Sequence, residues 1–130
     1  MRTYPIDSTR VQMISTGTCA PVVQWVEIDG GRRPHPNGLQ DVDPLTNLPL
    51  WRVEVIIPGD ETDDRDRTAV TEITIAAKDK PDAGAFGDLL MFEGLAMSPG
   101  FLNKKTNTVG APRWSATGIR RQHKAQQQAA

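Results

Sequence analysis

The chain has one cysteine, Cys19, among 130 residues. An intramolecular disulfide is therefore excluded, and with it a secreted disulfide scaffold or a four-cysteine zinc site. Histidine is almost as scarce: His35 is wedged between two prolines and His123 stands near the C-terminus. A zinc ion would need carboxylates to complete its ligand set, no spacing offers them, and both histidines read as exposed. No run approaches the roughly 18 apolar residues of a membrane-spanning helix, and MRTYPIDSTRVQMIS, the start of the chain, holds no apolar stretch of signal-peptide length. The expectation is a soluble protein in a reducing cytoplasm.

Catalytic motifs are missing as well. There is no glycine-rich phosphate loop, no G-x-S-x-G and no H-E-x-x-H. Asp41-x-Asp43 approximates a calcium loop, but Leu45 takes a ligand position, Thr46 the obligatory glycine and Arg52 the bidentate glutamate. The cluster Asp60, Glu61, Asp63, Asp64 and Asp66 is interleaved with Arg65 and Arg67, which fits a solvated hairpin tip better than a cation site. Glu54 and Glu72 read as outward strand residues, close across a hairpin, and not as a glycosidase pair. Cys19, beside Ala20 and near Val22 and Val23, reads as a small buried hydrophobe. The expectation is a protein that is not an enzyme, with no cofactor and no metal.

Acid is absent after Glu93. Residues 94–130 carry six Lys and Arg and no Asp or Glu, whereas residues 1–93 carry nine against all sixteen acids, so a net charge of −1 conceals a basic end and an acidic remainder. Such a split suggests an end that meets a polyanion or the chain's own acidic surface.

What is present is the pattern of strands. Apolar residues come in short alternating runs between Gly, Pro, Asn and Asp, and helical periodicity is scarce. In Leu50–Ile57, Trp51, Val53, Val55 and Ile57 share one face, with Arg52 and Glu54 on the other. Thr68–Ala77 places Ile73, Ile75 and Ala77 against Glu72 and Thr74, and the polar GDETDDRDR between the two predicts a long hairpin. Leu89–Ala96 and Arg113–Arg120 read as further strands, and Arg10–Ser15 with Pro21–Ile28 as a pair turning at Gly17. Residues 29–49 read as a long loop, and KDKPDAGAFGD sits where small barrels often carry a short helix. Five to six short antiparallel strands with long loops predict an all-β fold: a small OB-like barrel, or an open β-barrel or sandwich. The division expected is one β-barrel-like domain over residues 1–121 and a disordered, basic, glutamine-rich tail over 122–130.

Phosphate binding needs cations, and single strands add a need for flat side chains on which bases stack. Phe101, Lys104, Lys105, Arg113, Trp114, Arg120, Arg121 and Lys124 supply both within the acid-free end. They form the candidate nucleic-acid site, single-stranded DNA being favoured over duplex. The competing reading makes Trp114 and Phe101 core anchors and the cations merely solubilising.

Four blocks carry a family resemblance: VDPLTNLPLWRVEV (Val42–Val55), TEITIAAK (Thr71–Lys78), LMFEGLAMSP (Leu90–Pro99) and PRWSATGIR (Pro112–Arg120). In order and spacing they resemble the plasmid replication, integration and excision activator family of actinobacteria. The resemblance runs from about Val42 to Arg120, and the region before Val42 is not matched closely. It implies an accessory or regulatory role on a plasmid or integrative element, promoting its replication, integration and excision, and it brings no defined binding residues. Element-encoded replication or recombination proteins become candidate partners, and oligomeric state stays open. The alternative is a protein–protein adaptor that recruits a replication initiator, recombinase or transcription factor without touching DNA.

Overall fold

The computed structural model describes residues 3–59, 62, 68–100 and 102–121. The remaining residues, including the acidic hairpin tip (apart from residue 62), Phe101 and the tail from Gln122, lie outside the described set.

The central hairpin forms as the alternation dictates. Strands β5 (Leu50–Ile57) and β6 (Ala69–Ala76) pair in unbroken antiparallel register from Leu50↔Ala76 to Ile57↔Ala69. Val53, Val55, Ile73 and Ile75 turn inward and are fully buried, and Met13, Ala83, Leu90, Phe92, Leu95 and Ala116 complete the core around them. Burying each aliphatic side chain stabilises the fold by about 1.5–3 kcal/mol, which explains why this hairpin organises the rest.

A turn at Gly17 is the first expectation to be corrected. Met13–Pro21 is a single strand, β2, that pairs with β5 on both sides of a register shift between Ser15 and Cys19. Gly17, at φ 83°, serves a bulge instead of a turn. The segment 83–88 docks there: a Cβ on Gly17 would lie 3.3 Å from the Phe86 amide nitrogen. Ser15 N donates to Asp88 O and Gly87 N to Ser15 O, while the buried Ser15 hydroxyl donates to Ala83 O at 2.6 Å and accepts from Gly17 N at 2.9 Å. The helix expected over KDKPDAGAFGD is not formed. Its amides and carbonyls are used by the β2 bulge, and Gly84 and Gly87 take left-handed conformations incompatible with a continuing helix.

The second correction concerns residues 22–49, expected to be a strand followed by a loop. Trp25–Ile28 (β3) pairs not with β2 but with Gly31–Pro34 (β4), forming a separate hairpin. Asp29 and Gly30, at φ 52° and 80°, make the two-residue turn that matches strand twist.

The third is a bent hairpin. Strands β7 (Leu89–Glu93) and β8 (Ala96–Ser98) run against β12 (Gly118–Arg121) and β11 (Arg113–Ala116). A single register continues across the break, with Gly94 opposite Thr117. Gly94 is left-handed at φ 61°, and Thr117 N and Oγ1 donate to Glu93 O at 2.8 and 3.0 Å. Beyond the bend the two halves part: β7 pairs with β2, and β11 pairs with β6 in parallel. The parallel pair departs from the antiparallel expectation, and the long connection from β6 to β11 makes it possible.

The eight-stranded sheet, with Tyr4–Pro5 (β1) along β8, thus has the two halves of one hairpin at its ends. It curls into a partly open barrel. The five long strands follow one another around it as β2, β5, β6, β11 with β12, and β7 with β8, the connectivity of an OB-type barrel. A last small hairpin, β9 (Leu102–Asn103) with β10 (Thr108–Val109), lies in the connection from β8 to β11.

Candidate nucleic-acid interface

In OB-type barrels the outer face of the second and third strands, with the loops beside it, is a common ligand surface. Here that face belongs to β5 and β6 and extends onto β11. Strand alternation sends Leu50, Arg52 and Glu54 outward from β5, Glu72, Thr74 and Ala76 from β6, and Arg113 and Ser115 from β11. Thr74 stands level with Arg52 on one side and Ser115 on the other. Arg52 Nη1 lies 3.2 Å from Glu72 Oε2, both side chains about half exposed, so the pair orients the arginine more than it stabilises the sheet.

The connection between β8 and β11 carries exposed cations. Lys104 and Lys105 are exposed in the turn between β9 and β10, and exposed Arg113 opens β11 on its outward side. Arg120 lies on the other side of the Thr117 bend, exposed and 3.7 Å from Glu93 Oε1. Arg113 pairs in β11 with β8 and Arg120 in β12 with β7, so the two arginines occupy different halves of the bent hairpin. The backbone of Arg121 ends β12; Phe101 and Lys124 lie outside the described residues.

Trp114 turns the other way. It shares its inward face with buried Ala116, pairs with Ile73 and Met97, and packs partly buried against the core. Of the two readings open for this residue in the sequence, its geometry is that of the core anchor.

No family model matches the chain, and neither a curated protein nor a solved structure matches it.

Two features were not legible beforehand. The first is the β3–β4 arm, which displays Trp25, 56% exposed, together with exposed Arg32 and Arg33. The Asp29-Gly30 pair between two extended segments was the signal for it. The second is a pocket of about 470 Å³ at one end of the β5–β6–β11 face. Leu48, Leu50, Ala76 and Ala116 give it an apolar lining, and Asp43, Thr46, Thr74, Ser115 and Thr117 give it polar groups. Its wall over 43–48 is a fixed turn: Asp43 N donates to Leu48 O, Asn47 N to Asp43 O, and Leu45 N to Asp43 Oδ1.

Another pocket, of about 440 Å³, lies beside the β2 bulge and includes Cys19 and Lys80. Burial pushes the Cys19 thiol up from its ordinary value, and Lys80 pulls it back in part. That shift opposes thiolate formation, so the site is poorly suited to nucleophilic work. Among the described residues, no three His, Cys, Asp or Glu side chains come together to hold a metal ion, and no helix is long and apolar enough to cross a membrane.

Proposed function

We propose that this protein is a non-enzymatic accessory factor that binds single-stranded DNA, acting in the replication, integration and excision of an actinobacterial plasmid or integrative element. The observation that carries the DNA reading is exposed Arg113 on the outward side of β11, beside the outer β5–β6 face of an OB-type barrel, preceded in the same acid-free stretch of chain by exposed Lys104 and Lys105. The mobile-element context rests on the resemblance of the four sequence blocks to the activator family. Backbone phosphates meet the three cations, and the open β5–β6–β11 face accommodates the sugars and bases.

Fluorescence anisotropy with single-stranded and duplex oligonucleotides over a salt series tests this. Single strands should bind more tightly, and replacing Lys104, Lys105 and Arg113 together by alanine should reduce the slope of log K against log salt by about 2, given about 0.7 per phosphate contact. Absence of binding to either form, or a slope untouched by the triple substitution, would overturn it.

A second reading, the adaptor, is favoured by one observation. Large apolar side chains stand exposed on separate loops, with Leu45 93% and Phe86 74% accessible, as expected of protein contacts. Co-purification with another element-encoded protein, unaffected by the triple substitution, would support it.

A further inference from the structure

The pocket beneath the 43–48 turn is chemically unlike the basic edge beside it. Among its described lining residues there is no Lys, Arg or His, and Asp43 contributes a carboxylate. A phosphate is therefore disfavoured inside. The apolar side, Leu48, Leu50 and Ala76, suits the face of a flat ring, while Thr74 and Ser115 present hydroxyls with no hydrogen bond among the described residues. A volume of about 470 Å³ falls within the ordinary range for small-molecule sites, roughly 300–1,000 Å³.

Asp43 gives the pocket a polarity. Its Oδ1 is occupied by the Leu45 amide at 2.9 Å, and the turn is closed by the Asp43–Leu48 and Asn47–Asp43 backbone hydrogen bonds. The second oxygen is left as an acceptor held by a rigid turn. A carboxylate can only accept, so it selects a ligand edge that donates. Outside the pocket, Arg113 precedes Ser115 by two residues on the same face of β11, about 7 Å along the strand. A cation thus stands beside the pocket without entering it.

We infer that this pocket receives one base of a bound single strand, and that Asp43 selects a base carrying an exocyclic amino group. The inference rests on the single-strand reading above and names the subsite within it. The base lies against Leu48 and Leu50, its amino group donates to Asp43, and its other edge exchanges hydrogen bonds with Thr74 and Ser115. The phosphate stays outside on the Arg113 side. The contact matches the acceptance of a cytosine amino hydrogen by a carboxylate.

The test compares deoxycytidine with deoxyuridine, which differ at C4 by an amino group against a carbonyl, on the full chain by amide chemical-shift titration. Deoxycytidine should shift the amides of Thr74, Ser115 and Thr117 and bind about tenfold more tightly than deoxyuridine, as one hydrogen bond to a charged acceptor implies. Asp43→Asn keeps the Leu45 contact through its amide oxygen but offers an N–H₂ donor to the pocket, so it should reverse the preference. Equal affinities in the wild type, an unreversed preference in Asp43→Asn, or shifts confined to residues outside the pocket would overturn the inference. Oligo-dC and oligo-dU in the salt-series anisotropy assay separate it from its premise. Equal, salt-sensitive binding of both would remove the pocket assignment and leave single-strand binding standing. Nucleoside discrimination without binding of either oligomer would support the pocket and remove the single-strand reading.

Discussion

Trp114→Ala decides whether the last long strand offers a stacking platform or a structural anchor. A buried tryptophan removes about 150–250 Å² from water, and the lower end suits a ring that is only partly covered. At about 25 cal/mol per Å², ~150 Å² corresponds to about 4 kcal/mol, within the 3–5 kcal/mol usual for truncating a core aromatic. The ring packs against the core on the side of Ala116, with Ile73 and Met97 opposite Trp114 on the neighbouring strands. Urea unfolding should therefore show a loss of about 3–4 kcal/mol and thermal unfolding a drop on the order of 10–15 °C. Trp114→Phe should recover more than half. Below its lowered midpoint, Trp114→Ala should bind oligonucleotide with the wild-type salt slope. An unchanged midpoint with a more than tenfold loss of oligonucleotide affinity would refute the core assignment and return Trp114 to the binding surface.

Three further outcomes follow from local geometry. Ser15→Ala removes a buried hydroxyl that bridges Ala83 O and Gly17 N; a loss of about 1–3 kcal/mol and faster amide exchange at Gly17 and Gly87 are expected, and unchanged exchange would contradict the docking of the 83–88 segment. Gly94→Ala places a Cβ 2.7 Å from Thr117 Oγ1 at a φ of 61° and should cost about 1–3 kcal/mol in urea unfolding. Adding Thr117→Ala should restore the steric part and leave the backbone part, so a second substitution without any recovery would count against the Gly94–Thr117 bend. For Cys19, whose thiol is pushed up by burial, alkylation by iodoacetamide near pH 8 should be slower than in the unfolded chain and accelerate as pH rises. Because its folded value is raised, any stability it contributes is fully present below the unfolded value of roughly 8.5, and it declines as pH rises through the folded one. A thiol titrating at or below the unfolded value would refute this.

The all-β class and the inward faces of β5 and β6 were legible because a period of two survives only where one face is buried. Val53, Val55, Ile73 and Ile75 carry that period, and all four are fully buried. The path of β2 was not legible, since Gly17 signals a left-handed φ without saying whether it serves a turn or a bulge. Only the arrival of 83–88 on Ser15, some 70 residues away along the chain, decides it. Likewise LLMFEGLA (Leu89–Ala96) and RWSATGIR (Arg113–Arg120) read as two plain strands, although Gly94 and Thr117 bend them together. Their bend is a cross-strand event that neither segment encodes alone.

The same bend limits what charge along the chain can say about a binding site. Arg113 and Arg120 are neighbours in a count of basic residues, yet Thr117 sends their strand halves to opposite ends of the hydrogen-bonded sheet order. A linear cluster becomes a cluster in space only if the backbone between its members keeps one face, and here Ala116 and Ile119 both pack inward with Thr117 and Gly118 between them. The phase of alternation changes at the bend. Arg113 is thereby aligned with Ser115, Thr74 and the pocket beyond them, whereas Arg120 is aligned with Glu93. A phosphate-binding role falls most directly on the cations before the bend. On this geometry Arg113→Ala should change the oligonucleotide salt slope and Arg120→Ala should leave it nearly unchanged, a contrast that the summed charge of the segment does not contain.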